Sequence, residues 1–412
     1  MVTTKARTLG GPSTMVAAPV DDRIAVEILR GRAGLEAIAG EWRELHAIAG
    51  KPEQVFLSAA WTELWSEHYL PGTDDPKQDP LILVTCRDEG RLALVWPLVE
   101  VKRFGLKLLK WAGEPISQYG DVLVDPGQHA GRLLDMAWQG IQALGSDALI
   151  LRKTRAGSAA SEFLVGKGAF VSERDSAPFI DLSGVVCPIA QAEQYPTKDR
   201  KNRRRHRKRL SEQGKLRFEW LKPSAEASRL AREAVSLKRE WLARRGRISM
   251  AFTDHRIERF LAEALSGANP GLDGRVGVIR CGDTPAALLI GFLNKNYYAG
   301  VLTAYDSNFE RHGPGSLLFE DAIRAAIAER ITRIDLLAPA DTYKQDWTLD
   351  SVAVEDFCVP FTVGGSIYTR VVQSRVRYGL KAGIEFLPPA PRRALLYCIA
   401  LLPALIYAAS EP

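Results

Sequence analysis

The residues that decide the fold run from Tyr297 to Leu337 and read YYAGVLTAYDSNFERHGPGSLLFEDAIRAAIAERITRIDLL. The pattern predicts a strand over 297–303, a helix that Gly313 and Pro314 open and that continues through Ile327, and a closing strand over 333–337. Proline suits the start of a helix because its missing N–H would have no intrahelical partner there. A strand, a helix and a second strand in this order indicate part of an α/β domain.

The same order of elements occurs in both halves of the chain. In the second half, two predicted helices, near 230–242 and 260–265, precede strands at 276–280 and 286–293. In the first half, two predicted helices precede strands at 81–85, 91–101 and 106–111, and then come a helix near 133–141 and a strand at 148–151. The two sets are offset by about 190 residues, as in an internal repeat. We therefore expect two similar α/β domains with mixed, mostly antiparallel sheets.

One segment carries the positive charge of the chain. From Lys198 to Arg209 there are nine Lys or Arg and one acid, a contribution of +8 to a net charge of +6, so the other residues sum to −2. The segment is predicted to be a helix over 199–213 that Gly214 ends. Because its cations repel one another, we expect an acidic neighbour or an anion such as a phosphate group beside it, with a solvated connector as the alternative.

The chain is predicted to have five parts. They are a flexible tail (1–22), a first domain (23–195), a basic helical connector (196–214), a second domain (215–380) and an apolar C-terminal segment (381–412). The tail contains no apolar run of the kind found in secretory signals, so a cytoplasmic location is expected.

The apolar run at 395–409 is shorter than the roughly 20 residues that cross a bilayer. Pro403 also interrupts it. We expect it either to pack on the protein or to dock on a partner or an anionic inner membrane face, which would make the protein peripheral there.

Two loops in the second half carry candidate site residues. The first contains Arg311, His312, Gly313, Gly315 and Ser316. Backbone N–H groups at a helix start can bind an anion, and glycines let phosphate oxygens approach, although simple helix capping is the alternative. The five cysteines stand singly without metal-ligand spacing, so no metal site is predicted.

The second loop runs from Asp335 to Trp347. Core patterning does not explain its polar residues Tyr343 and Lys344, and loops at strand ends commonly carry function. Lys344 is expected to bind a substrate phosphate or carboxylate, or else to form a salt bridge with Asp341 or Asp346.

Several patches together resemble the FemAB/CelD-like branch of the GNAT acyl-CoA N-acyltransferases. They are FLSAAWTELW at 56–65, LVWPL at 94–98, SQYGD at 117–121, Tyr297 to Asp306, GPGSLL at 313–318, and Asp335 followed by Tyr343-Lys344-x-x-Trp347. Their order and spacing match over residues 25 to 375, approximately. The resemblance implies tandem GNAT-like domains. It also implies transfer of an acyl group from acyl-CoA, with acetyl-CoA as the leading donor, to an amine or hydroxyl of a small-molecule or glycan-linked acceptor, in exopolysaccharide, cellulose or other cell-envelope biosynthesis.

The resemblance also implies roles for single residues. Tyr343 is the candidate acid for the departing thiolate, with a structural hydrogen bond as the alternative. Asp335 is a candidate base or acceptor-orienting group, or it fixes a loop. Residues 311–316 would hold the phosphates of the donor, and the candidate substrate-binding residues are Tyr119, Asp121, Tyr305, Lys344 and Trp347.

One position departs from the family's phosphate signature. Glu310 stands where a cationic or neutral side chain is expected, and an acid there repels pyrophosphate unless Arg311 or His312 compensates. Two other functions therefore stay open, an aminoacyl-tRNA-dependent FemAB-like transferase and a non-catalytic component of polysaccharide assembly. The basic run has no interleaved aromatic residues, which argues against nucleic acid as a partner.

Overall fold

The computed structural model describes residues 15–16, 23–72, 78–247 and 249–371. The predicted apolar segment 381–412, including its proposed membrane contact, and all of the predicted tail except Met15–Val16 lie outside them. The strands are β1 (Met15–Val16), β2 (Ile24–Arg30), β3 (Leu81–Asp88), β4 (Arg91–Arg103), β5 (Leu106–Trp111), β6 (Leu123–Val124), β7 (Ala148–Arg155), β8 (Phe170–Asp181), β9 (Leu216–Leu221), β10 (Asp273–Cys281), β11 (Thr284–Asn294), β12 (Tyr297–Tyr305), β13 (Arg333–Asp335) and β14 (Ser351–Pro360).

The helices have the following bounds. They are α1 (Gly31–Ala49), α2 (Ala59–Tyr69), α3 (Ala130–Ala143), α4 (Ala159–Gly166), α5 (Pro188–Glu193), α6 (Thr197–Ser211), α7 (Ala225–Arg244), α8 (Met250–Thr253), α9 (Arg256–Ala264), α10 (Pro314–Ala328), α11 (Thr342–Gln345) and α12 (Val363–Ile367), with short 3₁₀ turns at Val55–Leu57 and Ser307–His312. Among the described residues, no helix combines the length and apolar character needed to span a bilayer.

The described residues form two compact units. The first contains residues up to 177 together with 338–340 and 351–371, and the second contains 178–337 and 341–350. Strand β14 thus belongs to the first unit, although it follows most of the second unit in the chain.

Each unit contains six strands in the same spatial order. The first unit has the order β2-β3-β4-β5-β7-β14, extended by β1 beside β2 and β6 beside β4. The second has the order β9-β10-β11-β12-β13-β8, to which β8 contributes its last residues, 178–181. In both, the fourth and fifth strands are parallel and every other adjacent pair is antiparallel. A parallel pair needs a crossover, which α3 supplies in the first unit and α10 in the second. The predicted repeat of mixed, mostly antiparallel α/β units is confirmed.

Local sequence explains the shape of several elements. The turn between β3 and β4 has positive φ at Glu89 (50°) and Gly90 (83°), the conformation that a two-residue hairpin turn requires. Large apolar side chains then fill each core. Trp42, Trp61 and Trp96 are among the fully buried side chains of the first unit, and burial of one such side chain contributes about 1.5–3 kcal/mol.

The basic segment forms helix α6, as predicted, and packs on α10 of the same unit. Arg207 forms two hydrogen bonds with the Asp321 carboxylate, at 2.8 and 3.0 Å, and a third with Glu320 at 2.9 Å. The expected acidic neighbour is therefore present. The cations of α6 that remain exposed are Lys198, Lys201, Arg204, Arg205, Lys208 and Arg209.

Candidate functional site

A bulge in the second unit separates two parallel strands. β12 pairs with β13 over three residue pairs, of which the last joins Ala299 to Asp335, where β13 ends. Directly afterwards the register of β12 with β11 shifts, so that Val301 has no opposite residue. A bulge bends its strand and increases the local twist. We infer that β12 turns away here and that its edge from Gly300 to Tyr305 continues without β13.

The start of α10 lies directly after β12 and a 3₁₀ turn. Gly313 has φ = 58°, in the left-handed region that glycine adopts without strain, and it ends the 3₁₀ turn where α10 begins. The ring of His206 packs against it, because a Cβ at Gly313 would lie 3.3 Å from that ring. At Gly315 an added Cβ would meet no heavy atom within 4 Å, so the first turn of α10 has open space on this side. The Ser316 hydroxyl donates to the Gly313 carbonyl oxygen at 2.8 Å and fixes this turn.

Two basic side chains adjoin this helix start. Arg311 is exposed, and its Nε lies 3.3 Å from Nε2 of His312. His312 is 8% exposed, and its Nδ1 has no hydrogen-bond partner among the described residues. Partial positive charge at a helix N-terminus and a nearby guanidinium both favour an anion.

Glu310 is neutralised by residues that the sequence did not indicate. Its carboxylate accepts hydrogen bonds from Arg244 at 3.0 Å, from Arg245 at 2.9 Å and from the Tyr305 hydroxyl at 3.0 Å. The bonds from Arg245, Arg244 and Tyr305 lower the pKa of Glu310. The expected compensation by Arg311 or His312 is therefore replaced by two arginines at the end of α7, so Glu310 does not present an unpaired negative charge beside α10.

Tyr305 is the last residue of β12, and Tyr343 in α11 contacts the same strand at Thr303. Trp241 donates to the Tyr305 hydroxyl at 2.8 Å, which ties Tyr305 to α7 as well as to Glu310. Thr303, two residues past the Val301 bulge, donates to the Tyr343 hydroxyl. Burial of this hydroxyl and the nearby Asp341 charge raise the pKa of Tyr343 above its usual value, although 43% of the residue is exposed. The Tyr343 hydroxyl, protonated at neutral pH as in any tyrosine, therefore lies beside the separated part of β12.

Asp335 and Lys344 are both buried and hold the loop after β13. Asp335 has zero exposure and accepts from the Tyr297 hydroxyl and from the Leu337 N–H at 2.7 Å. Lys344 is 5% exposed, and its ammonium donates to the Leu337 carbonyl oxygen at 2.7 Å. Leu337 itself has φ = 60°, a conformation that costs free energy in a non-glycine residue and so needs such support. These contacts favour the loop-fixing role for Asp335 and give Lys344 a backbone partner at Leu337.

Trp347 packs in a different part of the second unit. It is 7% exposed, and its ring lies 5.1 Å from the Tyr195 ring and 5.8 Å from the Phe319 ring. Phe319 also contacts Tyr343, at 6.2 Å between ring centroids. Trp347 is thus connected to Tyr343 through one shared aromatic neighbour.

Tyr119 and Asp121 belong to the first unit, whereas the other ten candidate residues belong to the second. Asp121 is buried and accepts from the Gln54 amide at 2.7 Å and the Ala160 N–H at 3.0 Å. Burial raises its pKa. Gly120 forms a parallel bridge to Thr154 of β7, and a Cβ there would lie 2.2 Å from the Trp111 indole. The loop that carries SQYGD therefore lies beside β7, the fifth strand of the first unit. The fifth strand of the second unit is β13, and the corresponding place beside it is the gap where β12 turns away.

Comparison with known proteins agrees with this geometry. Residues 197–345 match the family model described as the acetyltransferase (GNAT) domain. Over these residues the second unit is therefore similar to a GNAT domain. The matched residues include α6, the bulged β12, the start of α10 and Tyr343.

Solved structures extend the likeness beyond this domain. The crystal structure of FemX is 10% identical and covers 81% of this chain and 98% of its own, with a TM-score of 0.55. A tandem GNAT protein from the clavulanic acid biosynthesis pathway is 13% identical and covers 82% and 99%, with a TM-score of 0.47. A conserved protein of unknown function from Bacteroides thetaiotaomicron VPI-5482 is 13% identical and covers 78% and 97%, also with a TM-score of 0.47. Among curated proteins no match was found. The GNAT domain and the FemX likeness confirm the predicted fold class.

Proposed function

We propose that this protein transfers an acyl group from acyl-CoA, with acetyl-CoA as the first donor to test, to an amine or hydroxyl acceptor. The observation that carries the proposal is the start of α10. There Gly315 leaves the first helical turn open close to Arg311, while Glu310 is held by Arg244 and Arg245. A helix start with open space and a nearby guanidinium suits the diphosphate of CoA.

Acyl-CoA fits the residues around this helix start. When bound, it supplies a thioester whose acyl group an amine or hydroxyl can accept. The first turn of α10 and Arg311 would hold the phosphates. The edge of β12 beyond Gly300 offers backbone groups that can pair with an extended amide chain. In the first unit, the corresponding position is lined by the loop around Gly120, which supports assignment of the donor to the second unit.

Tyr343 is the proposed proton donor. Its hydroxyl lies at Thr303 beside the separated part of β12. A tyrosine hydroxyl carries its proton at neutral pH, since its ordinary pKa is about 10. A protonated phenol near the thioester can give its proton to the departing sulfur. Asp335 and Lys344 would act on this reaction indirectly, because they fix the loop that leads to Tyr343.

The acceptor and the pathway are proposed from the sequence resemblance. The patches that resemble the CelD-like branch support a small-molecule or glycan-linked acceptor in exopolysaccharide, cellulose or other cell-envelope assembly. Such an acceptor would be met in the cytoplasm or at the inner face of the membrane, where the apolar run at 395–409 is proposed to dock.

Calorimetric titration of the full chain with CoA, acetyl-CoA and longer acyl-CoAs tests the donor. We expect saturable binding that Arg311→Ala weakens, and release of free thiol when a suitable amine or hydroxyl acceptor is added. Arg204→Ala is the matched control, because Arg204 is an exposed cation of α6 that the site does not use. If no CoA thioester binds, the donor assignment is wrong, and the aminoacyl-tRNA-dependent and non-catalytic alternatives take its place.

A further inference from the structure

The cations of α6 form two sets that lie on different sides of the helix. Arg203 and Arg207 face α10, where they bind the carboxylates of Glu320 and Asp321. The exposed set consists of Lys198, Lys201, Arg204, Arg205, Lys208 and Arg209. With about 100° of rotation per residue, these six positions fall within an arc of about 140° around the helix axis and extend over about 17 Å along it. None of the roles proposed above for acyl transfer uses this exposed cationic face.

No carboxylate of the described residues neutralises the exposed cationic face. None of its six cations forms an ion pair in that part of the chain, and Arg205 donates to the neutral Asn202 side chain at 3.2 Å. Asp199, the one acid of α6, lies on the other side of the helix axis. Glu212 adjoins the face just past the end of α6, so six cations minus this one acid leave five positive charges. Because these charges repel one another, an anionic partner on this face is favourable.

The arrangement fits a planar anionic partner better than a nucleic acid. A plane touches a helix along one side, and all six cations lie on one side. α6 contains no aromatic residue on which bases could stack. Its one amide side chain, Asn202, already accepts from Arg205, so the face presents no group of the kind that reads the edges of bases. A bilayer with anionic headgroups needs only the charges.

The sequence carries a second membrane signal. The apolar run at 395–409 follows Arg392 and Arg393 and lies outside the described residues. One weak apolar anchor gives only marginal membrane binding, whereas an anchor combined with a polybasic patch binds stably. The exposed face of α6 has the charge of such a patch.

We propose that the exposed cationic face of α6 binds the anionic headgroups of a phospholipid bilayer. Each Lys or Arg close to such a surface strengthens binding about fivefold. The cations at the two edges of the arc lie further from the plane, so we count about four of the six, which gives a preference for anionic over neutral bilayers of roughly 100- to 600-fold. This inference does not depend on acyl-CoA as donor, and its failure would leave the donor assignment untouched.

The test is co-sedimentation of the full chain with vesicles. One set contains phosphatidylcholine alone, and the other contains about 30% phosphatidylglycerol, which makes its surface anionic. We expect binding to the anionic vesicles at least 20-fold tighter than to the neutral ones, on the order of the preference given above or somewhat less. Raising sodium chloride from about 0.1 M to about 0.5 M should weaken this binding at least tenfold, because salt screens exposed charges.

Two triple variants locate the surface. The first replaces three cations near the middle of the arc by Gln, a good helix former, and should weaken binding to anionic vesicles about 100-fold: Lys201→Gln, Arg205→Gln and Lys208→Gln. The matched control removes three exposed cations of the same unit outside α6 and should bind within about threefold of the wild type: Lys222→Gln, Arg232→Gln and Arg259→Gln. Urea unfolding confirms that both variants fold.

Three results would overturn the proposal. The first is equal binding of the wild-type chain to neutral and anionic vesicles, or binding to neither. The second is an equal loss in the two triple variants, which would show that net charge acts without a defined surface. The third is tighter binding to a mixed transfer RNA preparation than to anionic vesicles at the same salt concentration, with loss of that binding in the α6 variant alone. That result would make the face a nucleic-acid interface.

Discussion

Replacement of Gly315 by Asp separates the folding of α10 from its proposed binding of phosphate. Gly315 is the second residue of α10, and a Cβ there meets no heavy atom within 4 Å. The new side chain therefore fits. It also places a negative charge where the CoA diphosphate is proposed to lie.

The two expected effects have opposite signs. Asp has a better helix propensity than Gly and interacts favourably with the helix dipole in the first turn, so the free energy of unfolding should rise by about 0.5–1 kcal/mol. Two unit charges about 5 Å apart repel by ~3 kcal/mol at an effective dielectric constant of 20. With salt screening this leaves about 1.5–3 kcal/mol, and the Kd for CoA should increase about 10- to 100-fold.

Urea unfolding and calorimetric titration measure these effects on the same protein. Gly131→Asp is the matched control, because Gly131 is the second residue of α3 and also has open space around its Cβ. It should gain similar stability and bind CoA like the wild type. A folded Gly315→Asp protein that binds CoA within twofold of the wild type would refute the phosphate site, and so would an equal loss in Gly131→Asp.

Three further substitutions test single groups. Tyr343→Phe removes the proposed proton donor, so kcat for thiol release should fall about 10²- to 10³-fold with little change in KM, and an unchanged kcat would exclude this hydroxyl. Glu310→Gln removes the carboxylate that binds Arg244 and Arg245, so CoA should bind about two- to fivefold more tightly and with a steeper salt dependence. Titrations at two salt concentrations measure both effects, and weaker CoA binding by the variant would contradict the expected attraction. Burial lowers the pKa of Lys153 to about 8. The charged side chain therefore lowers the free energy of unfolding below pH 8, and this destabilisation disappears as the pH rises from 8 to about 10.5. Because the side chain is partly exposed, Lys153→Met should stabilise the fold by only about 1 kcal/mol at pH 7 and not at all at pH 10.5, and a gain in urea unfolding that is equal at both pH values would contradict this cause.

Local sequence patterns were sufficient to predict helices and strands that occur in both halves of the chain. Continuous runs of apolar, strand-forming residues and the turn at Gly90 predicted β3 and β4, and Gly313 with Pro314 predicted the start of α10. The lack of Pro and Gly before Gly214 predicted α6. These features depend on neighbours within a few residues, where backbone preference and side-chain period act directly.

The candidate site was predicted in part. Loop composition and resemblance indicated the residues at the start of α10 and Tyr343 as candidates, and their roles stay predictions. The partners of Glu310 were not, because Arg244 and Arg245 lie about 65 residues earlier in the chain and only packing of α7 brings them near. Nothing in the sequence around Lys344 indicated that its ammonium would be buried against the Leu337 carbonyl.

The sequence alone thus determined the two α/β repeats and the basic helix. Only the tertiary structure decided that β14 pairs with β7, that Val301 forms a bulge where β13 ends, and that Arg203 is buried over Tyr195 and Trp347. The physical reason is that strand partners, register and helix packing depend on groups far apart in the chain, and local periodicity carries no information about which of them meet.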